Sequence, residues 1–241
     1  MRPHLSVVIP ALNEGARIGQ AIQTTCAYLD RQPYAWELLV VDDGSRDGTP
    51  QRVEALIQQN HRLRLIRHAK NLGKGAAVRT GLQNAQGNLI LFCDADGATP
   101  IEELDRFLPA CRDGTCLVCA SRHLPGSCVH AHQSVWRRFL SSGYRWLCRL
   151  CVTPGVTDVT CGFKLLSREA AAILLPRMRV DGWSFDAEML TIARIHGLRH
   201  VELPIAWSDQ GKSKVRLKRD VLASFWELVQ ILFRRLMGRY R

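Results

Sequence analysis

Three short apolar runs, Leu5-Ser6-Val7-Val8-Ile9-Pro10, Glu37-Leu38-Leu39-Val40-Val41 and Leu89-Ile90-Leu91-Phe92-Cys93, each stop at a polar tip. The tips are Asn13-Glu14, Asp42-Asp43 and Asp94-Ala95-Asp96. Helical periodicity over Ala16 to Leu29, Thr49 to Asn60 and Gly75 to Ala85 punctuates the runs. Short apolar runs bounded by turn formers read as strands buried on both faces. Strand, tip and helix in regular alternation specify βαβ units on a parallel sheet. The chain is therefore constrained to an α/β fold, and in such folds ligands bind outside the carboxyl ends of the strands.

Acidic groups recur at that end of the sheet. Ser45, Asp47 and Thr49 read as helix-cap and turn residues. Asp94 and Asp96, one residue apart, are poorly placed for a core and well placed for a hard divalent cation. Mg²⁺ or Mn²⁺ takes one or two protein carboxylates and completes its shell with substrate phosphate oxygens and water. The tip thus reads as a metal–diphosphate site.

The 241 residues, 46% hydrophobic and 23% charged, suit one ordinary globular enzyme domain. Met1-Arg2-Pro3-His4 leads directly into the first strand, so no signal peptide is expected. No apolar run reaches the roughly 18 to 20 residues that span a bilayer. Of the nine cysteines, Cys116/Cys119 and Cys148/Cys151 have zinc-like spacing. However, Cys116 to Ser121 reads as a strand, where residues three apart face opposite sides. The small, buried-type cysteines point to a reducing, cytosolic compartment.

The net charge of +11 is localised. Residues 122–157 carry Arg122, Arg137, Arg138, Arg145 and Arg149 with no acid, and residues 212–241 carry a net +7. Both segments are amphipathic. In the first, Trp136, Phe139, Leu140, Tyr144, Trp146, Leu147, Leu150 and Cys151 share an arc. In the second, Leu222, Phe225, Trp226, Leu228, Val229, Leu232, Phe233 and Leu236 share a face, with Ser224, Glu227, Arg234 and Arg235 behind. Basic helices with Trp, Phe and Leu on the other face suit the plane of a membrane interface, the alternative being core-facing helices with solvated basic backs. No nucleic-acid recognition motif accompanies the charge, so nucleic acid is not an expected partner.

Val8 to Glu14, Val41 to Thr49, Asn71-Leu72-Gly73-Lys74-Gly75 and Asp94-Ala95-Asp96 resemble, in order, the motifs of family 2 glycosyltransferases of the GT-A fold. Cys93 to Thr99, Asp158 to Leu165 and Trp183 to Glu188 are most similar to the branch that glycosylates polyisoprenyl phosphates, dolichyl-phosphate β-glucosyltransferases in particular. The resemblance covers about residues 5–220. It implies an open, mostly parallel sheet with helices on both faces over 1–220, including the amphipathic helix 134–152, followed by a basic amphipathic helix at 221–241. Unlike the eukaryotic glucosyltransferases, the chain shows no N-terminal membrane anchor, so peripheral attachment to the cytoplasmic face of a membrane is expected.

The resemblance implies a nucleotide-sugar site at Pro10, Ala11, Asn13, Glu14, Asp42, Asp43, Lys74 and Asp94. Glu14 suits ribose hydroxyls, Asp42 or Asp43 the base N–H or a ribose hydroxyl, and Lys74 a phosphate. Asp96 is the expected metal ligand, with Asp94 holding the sugar or ribose and assisting the cation. The spacing around Lys74 is not that of a Walker loop. Arg122 matches the arginine of the family's G-S-R motif, with alanine in place of glycine. Arg122, Arg137, Arg138, Lys212 and Lys214 are the expected acceptor-phosphate cations. A phosphate monoester, with a second pKa near 6, is already largely dianionic at neutral pH, so no catalytic base is expected. Asp158, Asp186 and Glu188 are the carboxylates to consider if one exists. The implied reaction is inverting hexosyl transfer from UDP-glucose to a polyisoprenyl phosphate; GDP-mannose or another acceptor is the alternative. A sugar-1-phosphate nucleotidyltransferase would open with a glycine- and arginine-rich loop, which Pro10 to Glu14 is not. A non-catalytic membrane-surface protein leaves the carboxylates unexplained.

Overall fold

The computed structural model describes residues 2–111, 114–130, 143–144, 146–149, 154–209 and 217–241. A seven-stranded sheet forms from β1 (Leu5–Ala11), β2 (Trp36–Asp42), β3 (Leu63–Arg67), β4 (Leu89–Cys93), β5 (Cys116–Ser121), β7 (Phe163–Ser167) and β8 (Arg199–Pro204), in the order β3-β2-β1-β4-β7-β5-β8. Only β7 runs antiparallel to its neighbours β4 and β5. The three apolar runs are β1, β2 and β4, side by side and parallel. A short parallel ribbon pairs β6 (Cys128–His130) with β9 (Ala206–Ser208).

Helices α1 (Ile18–Leu29), α2 (Thr49–Ile57) and α4 (Leu104–Ala110) contribute to the core on one face. Helices α3 (Lys74–Asn84), α5 (Arg168–Leu174), α6 (Phe185–Ile195) and α7 (Leu217–Leu236) contribute to the other. Strand side chains alternate between the two layers: Leu38 and Val40 point one way, Leu39 and Val41 the other. Such strands are apolar throughout because each face is covered. Cys116 and Cys119 likewise enter opposite layers, as strand geometry requires. Cys116 is bridged to Cys111, a departure from the reduced thiols expected, and six other described cysteines are free.

Two expectations about the basic helices change. The boundary placed between 220 and 221 falls inside α7, whose Leu228 and Ile231 join the core with Tyr240 beyond it. Leu228, grouped by periodicity with the outward face, is therefore inward. The face turned to the body is mixed: beside Leu228 and Ile231, Ser224 is buried and Glu227 and Arg234 are bonded to the body. The solvated side is apolar: Leu222 is 72% exposed, Trp226 62%, Phe233 55% and Leu236 76%. The reading of a core-facing helix with a solvated basic back is thus reversed for α7. Of helix 134–152 the structure describes only 143, 144 and 146–149. There Cys148 is buried while Trp146, placed on the apolar arc, is 62% exposed.

Candidate active site

Parallel pairing brings the carboxyl ends of β1, β2 and β4 to one rim, and the order reverses between β1 and β4. Antiparallel β7 starts at this same rim, since Phe163 pairs with Cys93. β5, antiparallel to β7, ends there at Ser121, so Arg122 joins the group. Topology alone therefore assembles the tips that lie far apart in sequence.

Pro10 and Ala11 finish β1, and the Ala11 carbonyl accepts the Asp43 N–H at 2.8 Å. Asn13 stands in the left-handed region at φ 52°, donating its N–H to Ser45 Oγ and accepting the Arg46 N–H, each at 2.8 Å. Glu14 is ion-paired with Arg17. The two aspartates of the β2 tip, left undivided by sequence, differ sharply. Asp43 accepts the backbone N–H groups of Leu72 and Gly73 at 2.9 Å and has His68 Nδ1 at 2.7 Å. It is committed to fixing the loop before Lys74. Asp42 is fully buried, accepts Ser45 N–H at 3.2 Å through Oδ1, and its Oδ2 has no hydrogen-bond partner among the described residues. Arg67 Nε lies 3.5 Å from that oxygen. Asp43 is fully engaged, whereas Asp42 Oδ2 has only the longer Arg67 contact, so Asp42 is the member of the pair with capacity for a ligand N–H or hydroxyl.

At the β4 tip, Lys74 Nζ lies 2.7 Å from Asp94 Oδ1 and 5.4 Å from the centre of the Trp183 ring. Burial works against the Lys74 ammonium, but Asp94 and Asp186 raise its pKa on balance. Asp96 Oδ1 accepts the Ala98 N–H at 3.0 Å. Burial and then the neighbouring Asp94 charge push the Asp96 carboxyl upward, opposed by that bond, Lys74 and Arg17. The like charge of Asp94 beside Asp96 is one that a bound cation would relieve. Among the described residues no three metal-ligating side chains converge. That suits an ion drawing most of its shell from a diphosphate and water, and Asp94 and Asp96 fit such an ion. Gly162 backs the pair: a Cβ there would overlap the Asp94 carboxylate.

On the β5 side, Arg122 donates from Nε to Asp158 Oδ2 at 2.7 Å and from Nη2 to Asp158 Oδ1 at 3.0 Å and Thr160 Oγ1 at 2.9 Å. Its guanidinium lies 5.3 Å from the Trp207 ring centre. Burial would raise the fully buried Asp158 carboxyl, but the Arg122 bonds and charge hold it well below the usual range. Lys164, also fully buried, donates to the carbonyls of Val159 and Cys161 and to Asp186 Oδ1, at 3.1, 2.6 and 2.6 Å. Glu188 accepts the N–H groups of Arg179 and Val180 and the Tyr240 hydroxyl. Asp158, Asp186 and Glu188 are thus each occupied by the protein's own donors. Burial pushes the Cys161 thiol up to about 12 and raises Cys93 as well, which disfavours a thiolate nucleophile at either position at neutral pH. Arg137, Arg138, Lys212 and Lys214 lie outside the described residues.

Residues 6–174 match the model of glycosyl transferase family 2. The chain belongs to this family. A dolichyl-phosphate beta-glucosyltransferase of Trichomonas vaginalis is 37% identical over 95% of this glycosyltransferase and 70% of its own length. The human dolichyl-phosphate beta-glucosyltransferase is 33% identical over 94% and 72%. Among solved structures, glucosyl-3-phosphoglycerate synthase from Mycobacterium tuberculosis, in complex with Mn²⁺, UDP-glucose and phosphoglyceric acid, aligns with TM-score 0.68 and 20% identity over 96% of the chain and 80% of its own. A Pyrobaculum calidifontis mannosyltransferase in complex with GDP-Man and Mn²⁺ aligns with TM-score 0.63 and 21% identity over 95% and 65%. At these identities the two structures establish the shared GT-A fold.

Three site residues of this glycosyltransferase escape sequence reasoning. Arg17, whose charge interacts with Asp94 and Asp96, is signalled only by its spacing from Glu14. Gly162 lies in a stretch that resembles the family but carries no chemistry of its own. Trp183 opens another such stretch, but its place beside Lys74 shows only in the fold.

Proposed function

We propose that this enzyme transfers glucose, with inversion, from UDP-glucose to a polyisoprenyl phosphate such as dolichyl phosphate. The observation that carries the reading is the asymmetry of the site: acidic and cation-seeking at Asp94 and Asp96, while the carboxylates to consider as a base are already engaged, Asp158 by Arg122, Asp186 by Lys164, and Glu188 by Tyr240 and the N–H groups of Arg179 and Val180. A sugar-alcohol acceptor needs a positioned base to remove its proton. A phosphate acceptor arrives ionised and needs only cations to hold it. The names of the relatives, with their dolichyl-phosphate acceptor, support the same choice.

Asp42 Oδ2 and Glu14 receive the base and ribose, Lys74 holds the diphosphate, and Asp96, assisted by Asp94, holds Mg²⁺ or Mn²⁺. The bound cation supplies Lewis-acid stabilisation of the diphosphate leaving group. Arg122, oriented by Asp158 and Thr160, aligns the acceptor phosphate. An acceptor oxygen forms the new bond to the anomeric carbon from the face opposite the leaving group, and the breaking C–O bond leaves its electron pair on UDP. The experiment that tests the donor is calorimetric titration in Mn²⁺: UDP-glucose binds more tightly than GDP-mannose. The reverse order selects the mannosyl reading.

Arg122→Ala should raise the KM for lipid phosphate and lower turnover while sparing UDP-glucose affinity. It also strands the buried Asp158, a loss of roughly 3 kcal/mol or more at neutral pH. Asp158 stabilises the fold above the usual carboxylate range, and this contribution fades as pH falls through its lowered pKa. The difference in Tm between variant and parent should therefore narrow toward pH 3. Arg122→Lys keeps charge without the two-pronged fork and should recover only part of the activity. An equal loss of UDP-glucose affinity would move Arg122 to the donor side.

Among the described residues no helix is long and apolar enough to cross a membrane. The outward apolar face of α7 and the basic segments support peripheral attachment, at the cytoplasmic leaflet in our reading. Each lysine or arginine near an anionic surface adds on the order of 1 kcal/mol of attraction. The protein should co-sediment with anionic liposomes at low salt and release partly as salt rises, and Trp226→Glu together with Phe233→Glu should weaken binding. Absence of co-sedimentation at low salt contradicts this attachment.

A further inference from the structure

Helix α7 touches the body through polar groups at its middle and at its C-terminal end, and both contacts grip the same loop. Glu227 Oε2 accepts the Ser184 N–H at 2.9 Å, and the Ser224 carbonyl accepts the Ser184 hydroxyl at 3.0 Å. Gly182 lies so close that a Cβ there would overlap the Glu227 carboxylate. At the other end, Tyr240 donates to Glu188 at 2.7 Å, and Glu188 accepts the N–H groups of Arg179 and Val180 at 2.7 and 2.8 Å. The segment 179–184 is therefore clamped at both ends by residues of, or reached by, the C-terminal helix.

The opposite edge of this segment builds the start of α3. The Gly182 carbonyl accepts the Gly75 N–H at 3.2 Å, and the Asp181 carbonyl accepts the Ala76 N–H at 3.1 Å. Gly73 and Gly75 pack so tightly on Val180 and Asp181 that neither could carry a Cβ without displacement. Lys74 sits between them, with Trp183 of the same segment beside its ammonium. A continuous path of hydrogen bonds and backbone contacts leads from Glu227 through Ser184 and Gly182 to Lys74 and Asp94.

We infer that Glu227 is a positioning residue for Lys74, acting through the 179–184 segment. It lies 153 residues from Lys74 in sequence, on the helix with the outward apolar face, and touches none of the proposed donor groups. The inference rests on the reading of Lys74 as the diphosphate cation. Loss of the Glu227 acceptor leaves the Ser184 N–H unpaired and lets the segment, and with it the α3 start, shift. Small misplacements of a positioning group cost up to about a hundredfold in rate.

A double-mutant cycle tests this, read as kcat/KM for UDP-glucose with a saturating polyprenyl phosphate, alongside Tm. Lys74→Met should lose about a hundredfold, Glu227→Ala about tenfold, and the double variant about as much as Lys74→Met alone, because both changes remove one function. Glu227→Gln, which keeps an oxygen for Ser184, should recover most of the activity. Gly182→Ala, which forces the segment off Glu227 while keeping the carboxylate, replaces Glu227→Ala in the cycle if that variant melts below the assay temperature. Losses that multiply to about a thousandfold, or a silent Glu227→Ala, overturn the inference while leaving the donor site intact. A silent Lys74→Met overturns the donor-site reading and the inference with it.

Discussion

Replacing Asp96 by asparagine is expected to lower glucosyl transfer by about a thousandfold or more in saturating Mg²⁺ or Mn²⁺, with the fold unchanged. The two side chains are nearly isosteric, and the Ala98 N–H still finds an oxygen acceptor. What disappears is half of the negative charge that Asp94 and Asp96 present to a hard cation. Asp94 alone is a poor substitute, because Lys74 already lies 2.7 Å from one of its oxygens. Mn²⁺ titration followed by electron paramagnetic resonance should show weakened metal binding in the presence of UDP, so the effect is visible without turnover. Circular dichroism and an unchanged Tm would exclude unfolding. An Asp96→Asn variant with near-parental activity, or parental activity that survives excess EDTA, contradicts a metal–diphosphate site.

Gly162→Ala should cost about a hundredfold or more, although it adds one methyl group away from any proposed reacting atom. That methyl would occupy the space of the Asp94 carboxylate. The backbone cannot withdraw easily: Gly162 precedes β7, its carbonyl accepts the Asp94 N–H at 3.1 Å, and Lys164 ties down the carbonyls of Val159 and Cys161. Asp94 must rotate instead, away from Lys74 and from the shared cation site. The loss should fall on kcat and on the metal requirement, with liposome binding retained because the exposed apolar face of α7 takes no part in the Gly162–Asp94 contact. Parental kinetics in Gly162→Ala would show that the Asp94 position is not catalytically demanding.

Much of the fold was legible because the information is local. A strand buried on both faces is apolar throughout, so Leu38 to Val41 and Leu89 to Phe92 announce themselves, and parallel pairing then carries their tips to one rim. Long-range partners were not legible. Periodicity divides α7 into an apolar and a polar face without saying which one meets the protein, and most of the polar one does, through Ser224 and Glu227. The division of labour between Asp42 and Asp43 depends on the N–H groups of Leu72 and Gly73, some 30 residues away, which claim Asp43. Asp158 opens a stretch that resembles the family, but its role as the buried counter-ion to Arg122, 36 residues distant, shows only in the fold. Lys164 illustrates the same limit: within an apolar strand it is an anomaly, and only the carbonyls of Val159 and Cys161 and the Asp186 carboxylate explain it.

The most direct measurement is transfer of labelled sugar into the organic phase, with UDP-glucose or GDP-mannose as donor, polyprenyl phosphate or the corresponding free polyprenol as acceptor, and divalent metal present or chelated. The account predicts a lipid-linked β-glucosyl phosphate only from UDP-glucose, only with the phosphorylated lipid, and only with metal. Efficient transfer to the free alcohol would require a catalytic base that Asp158, Asp186 and Glu188 are not arranged to supply, and would contradict the account.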